Sequence, residues 1–146
     1  MSNNKIKTTK WKIPLYKVFT DEKDIKKIST VLKRGMDWAI GPEIEKLESA
    51  LAQYIGRRYC ITFNSGTSAG HAALIALGIN SKAEVIVPSF TFISTANWPL
   101  MVQSSPKFAD IEMQTFGIDP KDLETKISKK TKAIIPIHYG GLPCKI

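Results

Sequence analysis

The sequence has little cysteine and no long apolar run, and each shortage excludes a class of protein. Its two cysteines, Cys60 and Cys144, lie far apart and form neither a disulfide framework nor a metal-binding motif, so no metal site is expected. Cys60 is expected to be a small buried apolar residue. No run of about 18 apolar residues occurs, so a membrane span is not expected. The basic N-terminus lacks the apolar segment of a secretory signal, and we expect a cytoplasmic location.

Acidic residues are also in short supply, which bears on the class of partner. The chain has 21 Lys or Arg against 13 Asp or Glu, and a formal net charge of +8. Its first 34 residues hold ten basic and three acidic residues. A basic domain that binds nucleic acid is one interpretation. However, the chain has no zinc pattern, RNA-binding aromatic motif or Arg-rich run, so a surface that favours small anions fits at least as well.

The hydrophobic pattern divides the 146 residues into three parts. Residues 1–12 read as a flexible basic arm, 13–58 as a helical segment, and 59–146 as an incomplete α/β domain. In the helical segment, Thr20 is expected to cap a helix that ends at Gly35, and Pro42 to begin a second that ends at Gly56. Each helix has an apolar face that should be buried: Ile25, Ile28, Val31 and Leu32 in the first, and Ile44, Leu47, Leu51 and Ile55 in the second.

From residue 59 onward, short apolar runs alternate with helical patterns. We expect strands at 59–63, 84–88, 106–111 and 131–137. Helices should follow at 69–77, after Phe92, and after Asp119, the last with Leu123 and Ile127 turned inward. This alternation predicts an α/β fold: a mostly parallel sheet with helices on both faces.

Ligands of such sheets bind at the carboxyl ends of the strands, where three loops meet: residues 64–68, 89–92 and 138–143. The first, Asn-Ser-Gly-Thr-Ser, leads from a strand into a helix. Free backbone N–H groups and the helix dipole make such a turn suitable for a phosphate. It is neither a Walker loop nor a dinucleotide fingerprint, and a simple glycine turn remains an alternative.

Single residues near these loops admit more than one interpretation. Phe90 and Phe92 could stack on a flat ligand or pack in the core. His138 could be an acid–base group, a ring-stacking neighbour or a hydrogen-bonded structural residue. Asp110 could line the cleft or shape a turn, and Trp98 is expected to be buried.

Taken in order, the motifs resemble one family. They are Gly41-Pro42-Glu43, Asn64 to Ala69, Val85 to Phe92 with Thr95-Ala96-Asn97, Phe108 to Ile111 with Ile118-Asp119-Pro120, Thr131 to Ile135, and His138-Tyr139-Gly140-Gly141. This series resembles the DegT/DnrJ/StrS sugar aminotransferases, over residues 14–143. The resemblance implies the aspartate-aminotransferase fold (PLP fold type I) and pyridoxal 5′-phosphate (PLP) as cofactor.

The resemblance also implies roles for particular residues. Gly66, Thr67 and Ser68 would hold the PLP phosphate, in agreement with the anion site inferred from the turn itself. The ring of Phe92 would stack on the pyridine ring. Trp38 and Ile40 would face the sugar substrate near a dimer interface.

The chain departs from the family pattern in ways that limit these expectations. No lysine occupies the Schiff-base position, and the aspartate that pairs with the pyridine nitrogen is also missing, so no catalytic residue is assigned. Gly70 stands where the family usually has a larger apolar residue. We therefore expect the N-terminal portion of an aminotransferase for nucleotide-linked keto sugars, with an amino-acid donor, a homodimer or complementing chain, and no activity alone. A non-catalytic module that binds PLP or a nucleotide sugar is the alternative.

Overall fold

A computed structural model describes residues 12–13 and 16–146. The chain divides into two compact units, Met1–Tyr59 and Cys60–Ile146. In the described residues, the first unit holds two helices, and the second holds a parallel sheet with its helices. No helix in the described part of the chain is long and apolar enough to cross a membrane.

The first helix, α1 (Glu22–Arg34), is capped by Asp21 and not by Thr20 as expected. The Asp21 carboxylate accepts hydrogen bonds from the backbone N–H groups of Lys23 and Asp24, at 2.8 and 3.1 Å. The Asp24 carboxylate accepts the Asp21 N–H in return, at 3.0 Å. This reciprocal capping box satisfies more free N–H groups than a lone threonine could, which explains the shift by one residue.

The other helix boundaries of this unit agree with the sequence. Gly35 ends α1 with a φ of 80°, and Gly56 ends α2 (Pro42–Ile55) with a φ of 69°. Both are left-handed conformations that favour glycine. Pro42 takes the first helical turn of α2.

The apolar faces of α1 and α2 are not buried as expected. Within the described residues, α1 buries no side chain and α2 buries only Ala52. Large apolar residues of both helices are exposed: Ile25, Ile28, Leu32, Leu47 and Ile55. The 3.6-residue period shows which face of a helix can be buried, but the covering surface must come from another element.

The second unit is a three-stranded sheet. Its strands are β1 (Glu84–Pro88), β2 (Ser105–Ala109) and β3 (Thr131–Ile134), in the order β2-β1-β3 and all parallel. The remaining elements are α3 (Gly66–Ala76), α4 (Ile93–Met101), α5 (Pro120–Lys126) and a 3₁₀ turn at Tyr139–Gly141. The α/β class and the parallel sheet predicted from the sequence are confirmed.

The central strand β1 is buried on both faces, as its unbroken apolar run predicts. Val85 and Val87 point to one face, where they belong to a cluster with Leu74 of α3 and Ala96 of α4. Ile86 points to the opposite face, into a second cluster: Ile86, Ala109, Ile118 and Leu123. The two-residue period of the strand thus separates two cores, one under α3 and α4 and one under α5.

Three expected strands need correction. Residues 59–63 form neither strand nor helix in the described structure, and Ile61 is 73% exposed. An apolar run becomes a strand only where a neighbouring segment completes a ladder of backbone hydrogen bonds, and the described strands begin only at Glu84. Strand β2 spans Ser105–Ala109 instead of 106–111, because Ile111 turns away into an antiparallel bridge with Ile118. Strand β3 ends at Ile134 instead of 137.

Two smaller expectations also change. Asp119 caps α5 and Leu123 is buried, both as predicted, but Ile127 is 53% exposed. Helix α5 ends at Lys126, and Ile127 is already extended, so its side chain leaves the inward face. Cys60 is half-buried, because the strand expected to carry it does not form.

Candidate functional site

The turn at residues 64–68 forms a helix N-terminus with a side-chain cap. Ser65 is extended, with φ −159° and ψ 156°, and its Oγ accepts the backbone N–H of Ser68 at 3.1 Å. The hydroxyls of Ser65 and Ser68 also lie 3.1 Å apart. The small polar residues that follow Phe63 thus form the tight turn and the cap that begins α3.

The cap leaves two backbone N–H groups of α3 free for a ligand. Those of Gly66 and Thr67 donate to no residue that the structure describes. A Cβ added to Gly66 would meet nothing within 4 Å, so open space lies beside these donors. Two unpaired N–H groups at the positive end of a helix dipole are suited to an anion.

This helix end opens into a cleft of about 500 Å³. Its walls come from α3, from the loop after β1 with the first turns of α4, and from the segment after β3. The lining residues are Gly66, Thr67, Thr91, Phe92, Ser94, Thr95, Trp98, Ile137, His138, Tyr139 and Gly140. None of these described residues is acidic, so no carboxylate in the lining would repel an anion at Gly66 and Thr67.

Phe92 lies on this cleft with its ring largely free. It is 73% exposed and serves as the N-cap residue of α4. It makes no aromatic contact with any ring in the described part of the chain. An exposed ring beside two free backbone donors can cover a flat, phosphorylated molecule.

The neighbouring Phe90 has a structural role. Its ring centroid lies 4.6 Å from that of Tyr139 and 6.1 Å from that of Phe116. The centroids of Phe116 and Tyr139 lie 6.2 Å apart. These three rings join the loop after β1 to the segment after β3, so the two walls of the cleft are tied together.

Hydroxyl groups line the wall beside Phe92. The Oγ1 atoms of Thr91 and Thr95 lie 2.9 Å apart. Thr95 is buried, as is Ser94 next to it. Their polarity suits a ligand with hydrogen-bonding groups.

His138 also lines the cleft, and its ring is tied to Cys144. The backbone N–H of Cys144 donates to His138 Nδ1 at 3.2 Å, and the Cys144 Sγ lies 3.2 Å from the same nitrogen. His138 is thus hydrogen-bonded, as one of its interpretations expected, at a position that also lines the cleft.

Asp110 shapes a turn and does not line the cleft. Its carboxylate accepts the backbone N–H of Ile111 at 2.8 Å, and its own N–H donates to Asp122 Oδ2 at 2.7 Å. A longer contact of 3.4 Å joins it to the Ser89 hydroxyl. Of the two interpretations of Asp110, the turn residue is therefore the one observed.

The loop with Trp38 and Ile40 lies in the first unit, between α1 and α2. Both side chains are exposed, at 60% and 88%. Arg34 anchors the loop: its guanidinium lies 3.0 Å from the Glu43 carboxylate and donates to the Asp37 carbonyl at 2.8 Å.

Gly41, the N-cap residue of α2, and Glu43, in the first turn of α2, show why the Gly-Pro-Glu motif takes this form. The backbone N–H of Glu43 and the Arg34 guanidinium hold the pKa of the Glu43 carboxyl below its ordinary value. A Cβ at Gly41 would lie 2.6 Å from Arg34 Nη2 and 2.7 Å from the Asp37 carbonyl oxygen, so a larger residue would displace the backbone of this loop.

A protein-family model decides the affiliation of the chain. The model of the DegT/DnrJ/EryC1/StrS aminotransferase family matches residues 19–146. The chain belongs to this family. The resemblance inferred from its motifs is thereby confirmed.

Several known proteins are similar to this chain in sequence, and those with solved structures are also similar in fold. The uncharacterized protein MJ1066 of Methanocaldococcus jannaschii is 37% identical over 135 residues, which are 92% of this chain and 34% of that protein. The putative sugar aminotransferase Spr1654 of Streptococcus pneumoniae, in its PLP form, is 31% identical with a TM-score of 0.84. The match covers 92% of this chain and 34% of that one.

A third relative, NtdA of Bacillus subtilis with bound pyridoxamine phosphate, is 36% identical with a TM-score of 0.75, over 83% of this chain and 28% of that one. The chain thus spans about a third of the length of these relatives. Spr1654 is also known in a pyridoxamine phosphate form. The family and these cofactor-bound neighbours are consistent with the pyridoxal phosphate expected from the sequence.

The structure brings some of the expected family site residues together. Gly66, Thr67 and Phe92 line one cleft. Ser68 lies one residue further along α3 and is not part of that lining, and its N–H donates to the Ser65 hydroxyl. Trp38 lies with Ile40 in the other unit.

Sequence reasoning missed several residues that line the same cleft, among them Thr91, Thr95 and Tyr139. A signal for them was present: all three lie in or next to loops that leave the carboxyl ends of β1 and β3. Polar and aromatic residues at such positions favour a ligand site.

Proposed function

We propose that this cleft is the cofactor-binding part of a PLP-dependent aminotransferase site. The observation that carries the proposal is the pair of free N–H groups at Gly66 and Thr67, beside the exposed ring of Phe92. The residues fit the group: free donors and open space for a phosphate, a ring for the pyridine, and no acidic side chain in the described lining.

Each residue has a distinct task in the proposal. Gly66 and Thr67 bind the phosphate through their N–H groups, and the Thr67 hydroxyl adds a further donor. Ser68, whose N–H is used by the cap, contributes its hydroxyl and keeps the turn in shape. Phe92 covers the pyridine ring and fixes its orientation. PLP, when bound, supplies the electron sink on which amino transfer depends.

The substrates we propose are an amino-acid donor and a nucleotide-linked keto sugar. This class is supported by the family and by the putative sugar aminotransferase Spr1654, a similar protein. Trp38 and Ile40, exposed on their anchored loop, are the proposed sugar-facing residues. We further propose a homodimer or a complementing chain, and a cytoplasmic location.

We also propose that these 146 residues do not transfer an amino group alone. No lysine and no aspartate is among the described residues that line the cleft. PLP would therefore be held by non-covalent contacts, without a lysine to bond its aldehyde.

A titration of the chain with PLP, followed by absorbance and equilibrium dialysis, tests the cofactor site. Wild-type protein should bind PLP reversibly, and inorganic phosphate should compete. Thr67→Val should weaken binding several-fold, because a hydroxyl donor to the phosphate is lost. Thr30→Val is the matched control, since Thr30 lies on the exposed face of α1 and bonds only the Lys26 carbonyl. Equal affinity of Thr67→Val and wild type would exclude the Thr67 hydroxyl as a donor to the phosphate.

An assay of amino transfer tests the second half of the proposal. With PLP, glutamate and a nucleotide-linked keto sugar, the chain alone should release no 2-oxoglutarate. Release of 2-oxoglutarate at a rate that scales with protein concentration would contradict the proposed lack of a catalytic lysine.

A further inference from the structure

We propose that Cys144 fixes the orientation of the His138 ring so that only Nε2 faces the cleft. There Nε2 donates a hydrogen bond to an oxygen of the ligand. Cys144 is thus a positioning residue, and His138 a binding residue. The second half of this inference rests on the proposed function, whereas the first half rests on the Cys144–His138 contact.

The contact determines which ring nitrogen carries the proton. The Cys144 backbone N–H can only donate, so Nδ1, at 3.2 Å, must accept through its lone pair. The Cys144 Sγ, also 3.2 Å from Nδ1, lies on the same side of the ring. In a neutral imidazole the proton then resides on Nε2.

Cys144 is well placed to impose this arrangement. It is buried, at 8% exposure, and packs against Gly117 so closely that a Cβ there would lie 2.2 Å from the Cys144 Cβ. On the other side of His138, the ring of Tyr139 packs on Phe90. The histidine is therefore held by a buried backbone donor and by a neighbour fixed in an aromatic cluster.

The other ring nitrogen remains available. His138 Nε2 makes no hydrogen bond with any residue that the structure describes, although His138 lines the cleft with Gly66 and Thr67. The backbone N–H groups of Gly66 and Thr67 and the Nε2–H of His138 are all hydrogen-bond donors. The matching ligand group is an oxygen that accepts hydrogen bonds, on a phosphate or on a ring.

Two substitutions separate the two nitrogens of His138. Asparagine places an acceptor near the position of Nδ1 and nothing near Nε2, whereas glutamine places an N–H donor near Nε2. We expect His138→Asn to bind PLP roughly tenfold to a hundredfold more weakly than wild type, because a hydrogen bond to a charged group is lost. His138→Gln should lose less than His138→Asn. Wild-type affinity in His138→Asn would overturn the role of Nε2.

Inorganic phosphate as a second probe locates the ligand oxygen. If His138→Asn weakens phosphate and PLP equally, Nε2 donates to the phosphate. If it weakens PLP alone, Nε2 donates to an oxygen on the ring. Either result supports the inference. If His138→Asn binds both phosphate and PLP as tightly as wild type does, the inference is overturned.

Nuclear magnetic resonance tests the role of Cys144 independently of any ligand. The chain has two histidines, so His71→Gln leaves His138 as the sole imidazole. At about pH 8, where an ordinary imidazole is neutral, its long-range ¹H–¹⁵N spectrum should show a single Nε2–H tautomer. The Cys144 amide should exchange slowly in wild type and faster in His138→Ala. An Nδ1–H tautomer, a tautomer mixture or an unprotected Cys144 amide would overturn the positioning role.

The two readouts keep the failures distinct. If wild type binds no PLP, the proposed function fails, and the tautomer still decides whether Cys144 positions His138. If PLP binds normally but the tautomer is mixed, the cofactor proposal stands and the positioning role falls.

Discussion

The indole ring of Trp98 fills the space that a side chain at Gly70 would need. A Cβ built on Gly70 would lie 2.2 Å from Trp98 Cε2 and 2.4 Å from Cδ2, closer than atoms can approach. A glycine inside a helix can indicate loose packing around it. The structure shows instead that Trp98 of α4 fills the space beside Gly70 of α3. Trp98 thus closes one wall of the cleft because Gly70 lets its ring approach.

Substitution at Gly70 should therefore destabilise the second unit. Gly70→Ala forces the Trp98 ring to move, and we expect it to lower the free energy of unfolding by about 1–3 kcal/mol relative to Gly66→Ala. Gly66 is a suitable control because it lies in the same helix and a Cβ there meets nothing within 4 Å. Urea unfolding of both variants measures the difference.

The same pair can be tested by coupling. In a Trp98→Ala background the space is vacated, so Gly70→Ala should cost much less than in wild type. Additive effects of the two substitutions, or equal stability of Gly70→Ala and Gly66→Ala, would contradict the packing described here.

Phe92 and Phe90 should respond in opposite ways to truncation. Phe92 is 73% exposed, so Phe92→Ala should change the stability by no more than about 0.5 kcal/mol. It should nevertheless weaken PLP binding, because the ring that covers the pyridine is lost. Phe90→Ala removes the contact with Tyr139 and should lower the stability clearly. Urea unfolding and a PLP titration give both values, and unchanged PLP affinity in Phe92→Ala would exclude a stacking role.

Glu112 should make the stability dependent on pH in the acid range. The Thr115 hydroxyl, then the backbone N–H of Gln114, hold the pKa of its carboxyl below the ordinary value. A lowered pKa in the folded state means that the carboxylate stabilises the fold above the ordinary carboxyl pKa. This contribution is lost as the pH falls through the lowered value.

Glu112→Gln should accordingly be less stable than wild type at neutral pH. The difference in the free energy of unfolding between the two should become smaller as the pH falls. Glu124→Gln is the control, since Glu124 is exposed on α5. Urea unfolding midpoints across the acid range measure the stability difference between each variant and wild type. A difference for Glu112→Gln that stays constant with pH would argue against the ionised carboxylate as the source of stability.

The sequence predicted the centre of the fold well and its margins poorly. Strand β1 and the cap at Asp119 depend on a few adjacent residues, and both were found where expected. The strand at residues 59–63 was wrong because pairing depends on a neighbouring segment that local composition cannot reveal. The prediction that Ile25 and Ile28 of α1 are buried was wrong for a similar reason. Periodicity shows which face of a helix is apolar, but it does not show which other element packs against that face.

The site was predictable to the extent that it follows the order of strands. Gly66, Thr67 and Phe92 were identified by motif, and they line one cleft because they follow strand ends or precede helices at one edge of the sheet. The pairing of His138 with Cys144, and of Trp98 with Gly70, could not be foreseen. Both depend on the path of the chain across distances that no local pattern encodes.

The most direct test of the central claim compares PLP with pyridoxal, which lacks the phosphate, in equilibrium dialysis against the wild-type chain. The claim is that the N–H groups of Gly66 and Thr67 hold the cofactor by its phosphate, without a covalent bond. PLP should bind to one saturable site, and pyridoxal should bind far more weakly. Treatment of the PLP complex with borohydride should produce no stoichiometric covalent adduct, so the mass of the protein should stay unchanged. Equal binding of the two compounds, or a stoichiometric covalent adduct after borohydride, would contradict the account.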